Sequence, residues 1–227
     1  MARPATGRLL APADGEAASL ADRAYYAIRE LIVSLEYAPG DPISERDLTD
    51  RLGIGRTPIR EALRQLAQER LVEVFPRRGM FVTRVDVRDL ARLCEVLAVL
   101  EPEAARRAAE RATYDDLDEV RSLLAELESP RRRGDRVLID LDERIHRTIY
   151  RSAHNHFLEE TLEEYYALAL RIWMMALEQT TGLGGAVAEH HGVLDAIARG
   201  MGEIAAKRMR AHVEHFEDTM REVLLLR

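Results

Sequence analysis

The sequence predicts a mainly α protein in two parts: three short helices closed by a small β-hairpin, then an all-helical antiparallel bundle. Three observations lead there. Over most of the 227 residues, apolar side chains recur at steps of three and four, the period of one helix face. Residues 71–85 leave that period for short β-branched and aromatic runs around Pro76-Arg77-Arg78-Gly79. Hydrophobic residues make up 47% of the chain but aromatics only 5%, so the core must be Leu, Ala, Val and Ile, a helix-leaning set.

Residues 1–18 are rich in Ala, Pro, Gly and Arg without periodicity and read as a mobile tail. Leu20, Ala24, Ile28, Leu31 and Leu35 mark the first helix, which Ala38-Pro39-Gly40-Asp41-Pro42 breaks. Ser44 caps a short second helix, with Asp47 three residues on as an imperfect capping box and Leu48 and Leu52 as its buried face. Gly53-Ile54-Gly55 is a tight turn. A third helix starts near Arg56, with Ile59, Ala62, Leu63 and Leu66 as its stripe. Residues 71–75 and 80–85 then form a hairpin. Three helices followed by a two-stranded wing describe a winged helix-turn-helix over 19–85. From Asp86 every segment reads as helix, over about 86–111, 114–128, 135–152, 155–181, 185–199 and 202–226. Breaks fall at Ser129-Pro130, Gly134, His154-Asn155, Gly182 to Gly185 and Gly200-Met201-Gly202, and Pro102 should kink the first of these helices.

The net charge of −7 argues against a uniformly basic nucleic-acid binder, but the average hides a gradient. Residues 1–85 carry 13 Arg against 12 acidic residues, and 44–84 carry 9 against 6, while the remainder carries 20 basic and 28 acidic residues. The first part is thus built to meet something anionic. The single cysteine, Cys94, excludes an intrachain disulfide and a cysteine-based zinc finger, and it reads as a packed residue beside Leu90, Leu93 and Leu97. No apolar run approaches the ~20 residues of a membrane span. With no apolar core of a signal peptide near the N-terminus, a cytoplasmic protein is expected.

At 100° per residue, Arg56, Thr57, Arg60 and Arg64 share one arc of the third helix, beside the packed arc of Ile59, Ala62, Leu63 and Leu66. A major groove admits a helix presented in this way. Arginine pairs bidentately with guanine or phosphate, and Thr57 near the helix start suits a phosphate. Arg46, one helix earlier, suits a backbone or base contact, and Arg77-Arg78-Gly79 at the wing tip can reach a neighbouring minor groove.

These residues carry a specific resemblance. Ser44-Glu45-Arg46-Asp47-Leu48, Gly55-Arg56-Thr57-Pro58-Ile59-Arg60-Glu61-Ala62-Leu63-Arg64-Gln65-Leu66, Glu69-Arg70-Leu71-Val72 and Arg78-Gly79 resemble the DNA-binding domain of GntR-family transcriptional regulators. The resemblance implies DNA contacts by Arg46, Arg56, Thr57, Arg60 and Arg78 or Gly79. The chain departs at Gly55, where the family usually has Ser or Thr, and at Arg70, where Gly is usual.

All seven histidines lie in the helical part. Asp142 and His146, at i and i+4, align with Leu138, Leu141, Ile145 and Ile149 and point inward. His190 and His191 both fall on the face of Val187, Leu194 and Ile197, and periodicity does not choose between them. His212 lies with Ala205, Met209 and Phe216, while His215 sits on a more polar arc. One Asp and three His from three helices suit a divalent metal such as Zn²⁺, Ni²⁺ or Mn²⁺, with open positions for water or an anionic ligand. The rival chemistry is a metalloenzyme in which such a site activates water, although no additional general base is evident beside it.

Residues from about 88 to 222 resemble the all-helical FCD effector domain of the FadR subfamily. The matching stretches are Asp142-x-x-x-His146, Asn155, Glu189-His190-x-x-Leu194-Asp195-Ala196-Ile197 and Ala206-x-x-Met209-x-x-His212. The resemblance places the four metal ligands on Asp142, His146, His190 and His212. It implies a ligand-responsive regulator that binds operator DNA as a homodimer and senses a small organic or sugar acid. One departure bears on that ligand. Where the family often has an Arg that holds a carboxylate, two residues after the acid matching Glu95, this chain has Leu97. Arg92 or Arg171 would have to substitute, and Arg171 is expected on a helix surface. Trp173, Met174 and Met175 are candidates for a pocket wall.

Overall fold

The structure is a computed structural model and describes residues 19–129, 135–176 and 183–225. The expected tail over 1–18, the breaks at Pro130, Gly134 and Gly182, and the ends of the helices expected to reach 181 and 226 lie outside the described residues. The chain divides into two compact units, Met1–Val85 and Asp86–Arg227.

The first unit contains α1 (Leu20–Val33), β1 (Pro42–Ile43), α2 (Glu45–Leu52), α3 (Arg56–Gln68), β2 (Val72–Phe75) and β3 (Gly79–Val82). A capping box starts α1: the Ser19 hydroxyl accepts from the Asp22 N–H, and the Asp22 carboxylate accepts from the Ser19 N–H. The box at Ser44 is half of one, since Ser44 accepts from the Asp47 N–H at 3.2 Å. Gly53 ends α2 at φ 66°, a left-handed conformation that costs glycine little. Ala24, Ile28, Leu31 and Ile32 of α1 meet Ile59, Ala62, Leu63 and Leu66 of α3, all buried. The expected two-stranded wing gains a third strand. The sheet order is β1-β3-β2, with Pro42 opposite Phe81 and Ile43 opposite Met80. A two-residue strand has no period of its own, so its pairing with β3 arises only in the fold.

The second unit is helical throughout its described residues. It contains α4 (Val87–Arg111), α5 (Tyr114–Glu128), α6 (Asp135–Ser152), α7 (His156–Ala176), α8 (Leu183–Ala198) and α9 (Gly202–Leu225). The long α4 runs on through Pro102 and packs against α6, α7, α8 and α9. Leu141, Ile145, Ile149, Leu194, Ile197 and Met209 are buried at the centre, as their spacing requires. Gly202 allows α9 to start against α4: a Cβ there would stand 3.2 Å from the Arg106 carbonyl oxygen. Cys94 is buried, and burial pushes its thiol up to about 12, so it is an inert core residue. No described helix is long and apolar enough to cross a membrane.

Candidate functional site

Each unit holds one candidate site. In the first, α3 buries Ile59, Ala62, Leu63 and Leu66 and exposes Arg56, Thr57, Arg60 and Arg64. Gly55 offers no side-chain cap, so the first N–H groups of α3 remain available to an anion. Arg60 is held from the preceding helix, with its Nε donating to Glu45 Oε2 at 2.8 Å. Arg46 is exposed and makes only a loose 3.9 Å pair with Asp50. At the wing tip Arg77 (φ 64°) and Gly79 (φ 102°) close the turn, and the Arg78 guanidinium lies over the Phe75 ring, 5.8 Å from its centroid. Arg56, Thr57, Arg60, Arg78, Gly79 and Arg46 are all exposed.

The second unit brings Asp142 and His146 of α6, His190 of α8 and His212 of α9 together in its interior, none more than 9% exposed. One ligand atom from each of the three histidines lies within 4.8 Å of the others. Asp142 Oδ2 is 3.9 Å from His146 Nε2, and Asp142 Oδ1 is 3.6 Å from His190 Nδ1. The structure separates the two neighbouring histidines. His190 is fully buried in the cluster, whereas His191 turns away to pair with Glu128 of α5 at 2.9 Å. His215 is exposed and pairs with Glu189.

The hydrogen bonds around the cluster set the tautomers. A carbonyl can only accept, so His190 Nδ1 must donate to Val187 O at 3.2 Å. The Tyr150 hydroxyl donates its one proton to Glu101 Oε1 at 2.5 Å, so its oxygen accepts from His146 Nδ1 at 3.0 Å. His212 Nδ1 donates to Glu189 Oε2 at 3.2 Å. With Nδ1 so engaged, the Nε2 atoms of His146 and His190 face each other at 3.0 Å, two lone pairs when both rings are neutral. Such an arrangement is repulsive unless a proton or a metal ion lies between them. Nitrogens sharing a metal at about 2.0–2.1 Å would lie about 3.3–3.4 Å apart in a tetrahedral site and about 2.8–3.0 Å apart at right-angled octahedral positions.

A further observation fits a cation. Asp142 Oδ1 is buried with no hydrogen-bond partner, while Oδ2 accepts from the Tyr166 hydroxyl at 2.9 Å. Burial shifts the four ionisable groups of the cluster in different directions. Burial pushes Asp142 above the usual carboxylate range against the pull of His146 and His212. Burial and the nearby His212 and His146 hold His190 well below the ordinary imidazole value. Burial would also lower His146, but Glu101 and Asp142 outweigh it and raise the ring. Burial works against an ionised Glu101, yet His146 and Tyr150 bring it below its ordinary value. Three imidazoles with a carboxylate 3.6–3.9 Å from two of them are donors of the kind that suits a divalent ion such as Zn²⁺, Ni²⁺ or Mn²⁺.

Beside the cluster is a cavity with about 440 Å³ of empty space, part of it open to solvent. Its polar end is Glu101, Asp142, His146, Tyr166 and His212, and its walls include Leu97, Leu170, Trp173, Val213 and Phe216. Of the candidate wall residues, Trp173 is there and Met174 and Met175 are not among the lining residues. The expectation for Arg171 is corrected: it is 3% exposed, on a stretch of α7, 166–173, that is buried on nearly all sides. It does not line the cavity, and neither does Arg92, which is exposed and pairs with Asp89 at 3.3 Å. Glu101 and Tyr150 escaped the sequence reading. Glu101 could have been found, because it falls on the buried face of Leu97, Ala104, Ala105 and Ala108.

Comparison with known proteins gives a consistent picture. Residues 92–215 match the FCD domain, and residues 20–82 match the bacterial regulatory proteins of the gntR family. A Streptomyces ambofaciens protein described as an uncharacterized HTH-type transcriptional regulator in an unstable DNA locus is 30% identical over 209 residues, covering 88% of this chain and 84% of that protein. The galactonate operon transcriptional repressor of Escherichia coli K12 is 29% identical over 210 residues, 81% of this chain and 89% of its own length. Among solved structures, E. coli McbR/YncC shares the fold with a TM-score of 0.73 at 23% identity, covering 88% of this chain and 98% of that one.

Proposed function

From a chain that belongs to the GntR family of bacterial regulatory proteins and carries an FCD domain, and that is therefore a DNA-binding transcriptional regulator rather than an enzyme, we infer a metal-dependent acid sensor. Operator DNA is read by Arg46, Arg56, Thr57, Arg60, Arg78 and Gly79 of the first unit. Asp142, His146, His190 and His212 of the second hold a divalent metal, and a small organic acid binds on it. The metal supplies positive charge to an anionic oxygen in a cavity whose polar end is otherwise acidic. A homodimer is the form that reads DNA, because one recognition helix covers about half a site and two-fold proteins read palindromes.

The observation that carries this reading is the convergence of three buried imidazoles whose Nδ1 atoms all have partners outside the cluster, with one ring nitrogen of each within 4.8 Å of the others and Asp142 Oδ2 3.9 Å from His146 Nε2. Ligand and DNA act on different units, so their coupling requires a conformational equilibrium that both bias. The test uses duplex DNA recovered by the wild-type protein from a randomised pool, with metal present and a panel of organic acids. An acid should shift wild-type affinity by about 5- to 150-fold. His146→Ala should bind the same duplex and respond weakly. If no acid shifts wild type, the sensor reading fails.

A further inference from the structure

Building on that reading of the metal centre, we propose that the cavity takes a monocarboxylic acid with an apolar body, an alkanoate or arylalkanoate, rather than a sugar acid or a dicarboxylate. The first argument is a charge count. Glu101 and Asp142 together offset one divalent ion, and among the described residues no Lys or Arg lines the cavity. One ligand carboxylate already brings this centre to a net charge of −1, which its bond to the metal would offset; a second would add another negative charge with neither a metal bond nor a cationic side chain beside it, which is costly. Leu97 is central here: it is 3% exposed and contributes a hydrocarbon wall to the cavity beside Glu101.

The second argument concerns hydroxyl groups. A sugar acid brings several, and each needs a partner once out of water. Away from the polar end, the walls are Leu97, Ala169, Leu170, Trp173, Val213 and Phe216, which offer hydrocarbon and rings. The Tyr166 hydroxyl is already committed to Asp142. The same walls reward an apolar body, each methylene removed from water adding about fourfold in affinity.

The experiment is calorimetric titration and thermal shift of the full chain loaded with Zn²⁺, against hexanoate, octanoate, phenylacetate, malate and galactonate, with elemental analysis of the loaded protein. Octanoate and phenylacetate should bind, octanoate about tenfold or more tighter than hexanoate if both added methylenes are buried. Malate and galactonate should be weaker than either, and binding should vanish after metal removal by a chelator. Leu97→Arg should invert the order by favouring malate. If that buried guanidinium blocks folding, Val213→Thr, which keeps the shape and adds a hydroxyl, should weaken octanoate several-fold and leave the metal bound. Metal bound at one equivalent, with malate or galactonate preferred over the apolar acids, overturns this proposal and leaves the sensor reading standing. Absence of stoichiometric metal overturns both.

Discussion

Glu101→Gln is the sharpest test of the metal centre, because Glu101 stands directly behind the His146 ring without being one of the proposed ligands. It is 3% exposed, accepts from Tyr150 at 2.5 Å and lies 3.3 Å from His146 Nδ1. Glutamine keeps the volume and removes the negative charge behind the imidazole. A full unit charge at 3.3 Å would feel about 5 kcal/mol at an effective dielectric of about 20, which is a ceiling. Only the part of the metal charge that reaches the His146 N–H counts. Outer partners of ligating histidines typically contribute about 10- to 100-fold in affinity, or about 1.4–2.7 kcal/mol. Glu101→Gln should therefore weaken Zn²⁺ binding within that range, measured by competition with a chromophoric chelator and with circular dichroism to verify the fold. Tyr150→Phe should cost less, because His146 Nδ1 can turn to Glu101 directly. Glu128→Gln, beside the outward His191, should cost nothing. A folded Glu101→Gln protein with wild-type affinity would refute the reasoning.

Three other outcomes are expected. His190→Ala should lose stoichiometric metal while His191→Ala retains it, since only His190 points into the cluster, and elemental analysis of the two purified variants decides. Arg60→Ala should cost about 1–3 kcal/mol in binding a duplex selected by the wild type, measured by gel-shift titration; unchanged affinity in a folded variant would remove α3 as the reading helix. Asp116 caps α5 at Thr113 and pairs with His154 at 2.8 Å. Burial alone would raise its carboxyl, but the Thr113 hydrogen bonds and His154 bring it below the ordinary aspartate value of 3.8, so its contribution is present above that value and fades as the pH falls through the lower folded value. Asp116→Ala should then cost about 1–2 kcal/mol in urea unfolding at pH 7 and progressively less below about pH 4; a penalty that grows with acid would contradict this.

Much of this was legible because helix periodicity is a local property. The spacing of Ile59, Ala62, Leu63 and Leu66 assigns α3 its buried face and leaves Arg56, Arg60 and Arg64 outside. In the same way Leu141, Ile145 and Ile149 carry Asp142 and His146 inward. Gly200 and Gly202 announce the turn between α8 and α9, because few other residues tolerate a positive φ or so close an approach to α4.

The tertiary structure decided what depends on which element lies alongside. His190 and His191 differ by about 100° on one apolar arc, and only the packing of α6, α9 and α5 around α8 sends one into the cluster and the other to Glu128. Arg171 is buried because α7 is enclosed on nearly every side over residues 166–173, leaving no solvent face for the guanidinium, against the usual preference of that residue type. The strand β1 exists only through its pairing with β3. Glu101 meets His146 both directly, at 3.3 Å, and through Tyr150, 49 residues further along the chain, a relation that no periodic pattern encodes. The sequence by itself determined the helices, their inward faces and the kinds of donor available. Which donors share one centre, and that hydrocarbon rather than charge surrounds the ligand's end of it, follows from helices distant in sequence closing on a common core, where burial and mutual contact select the partners.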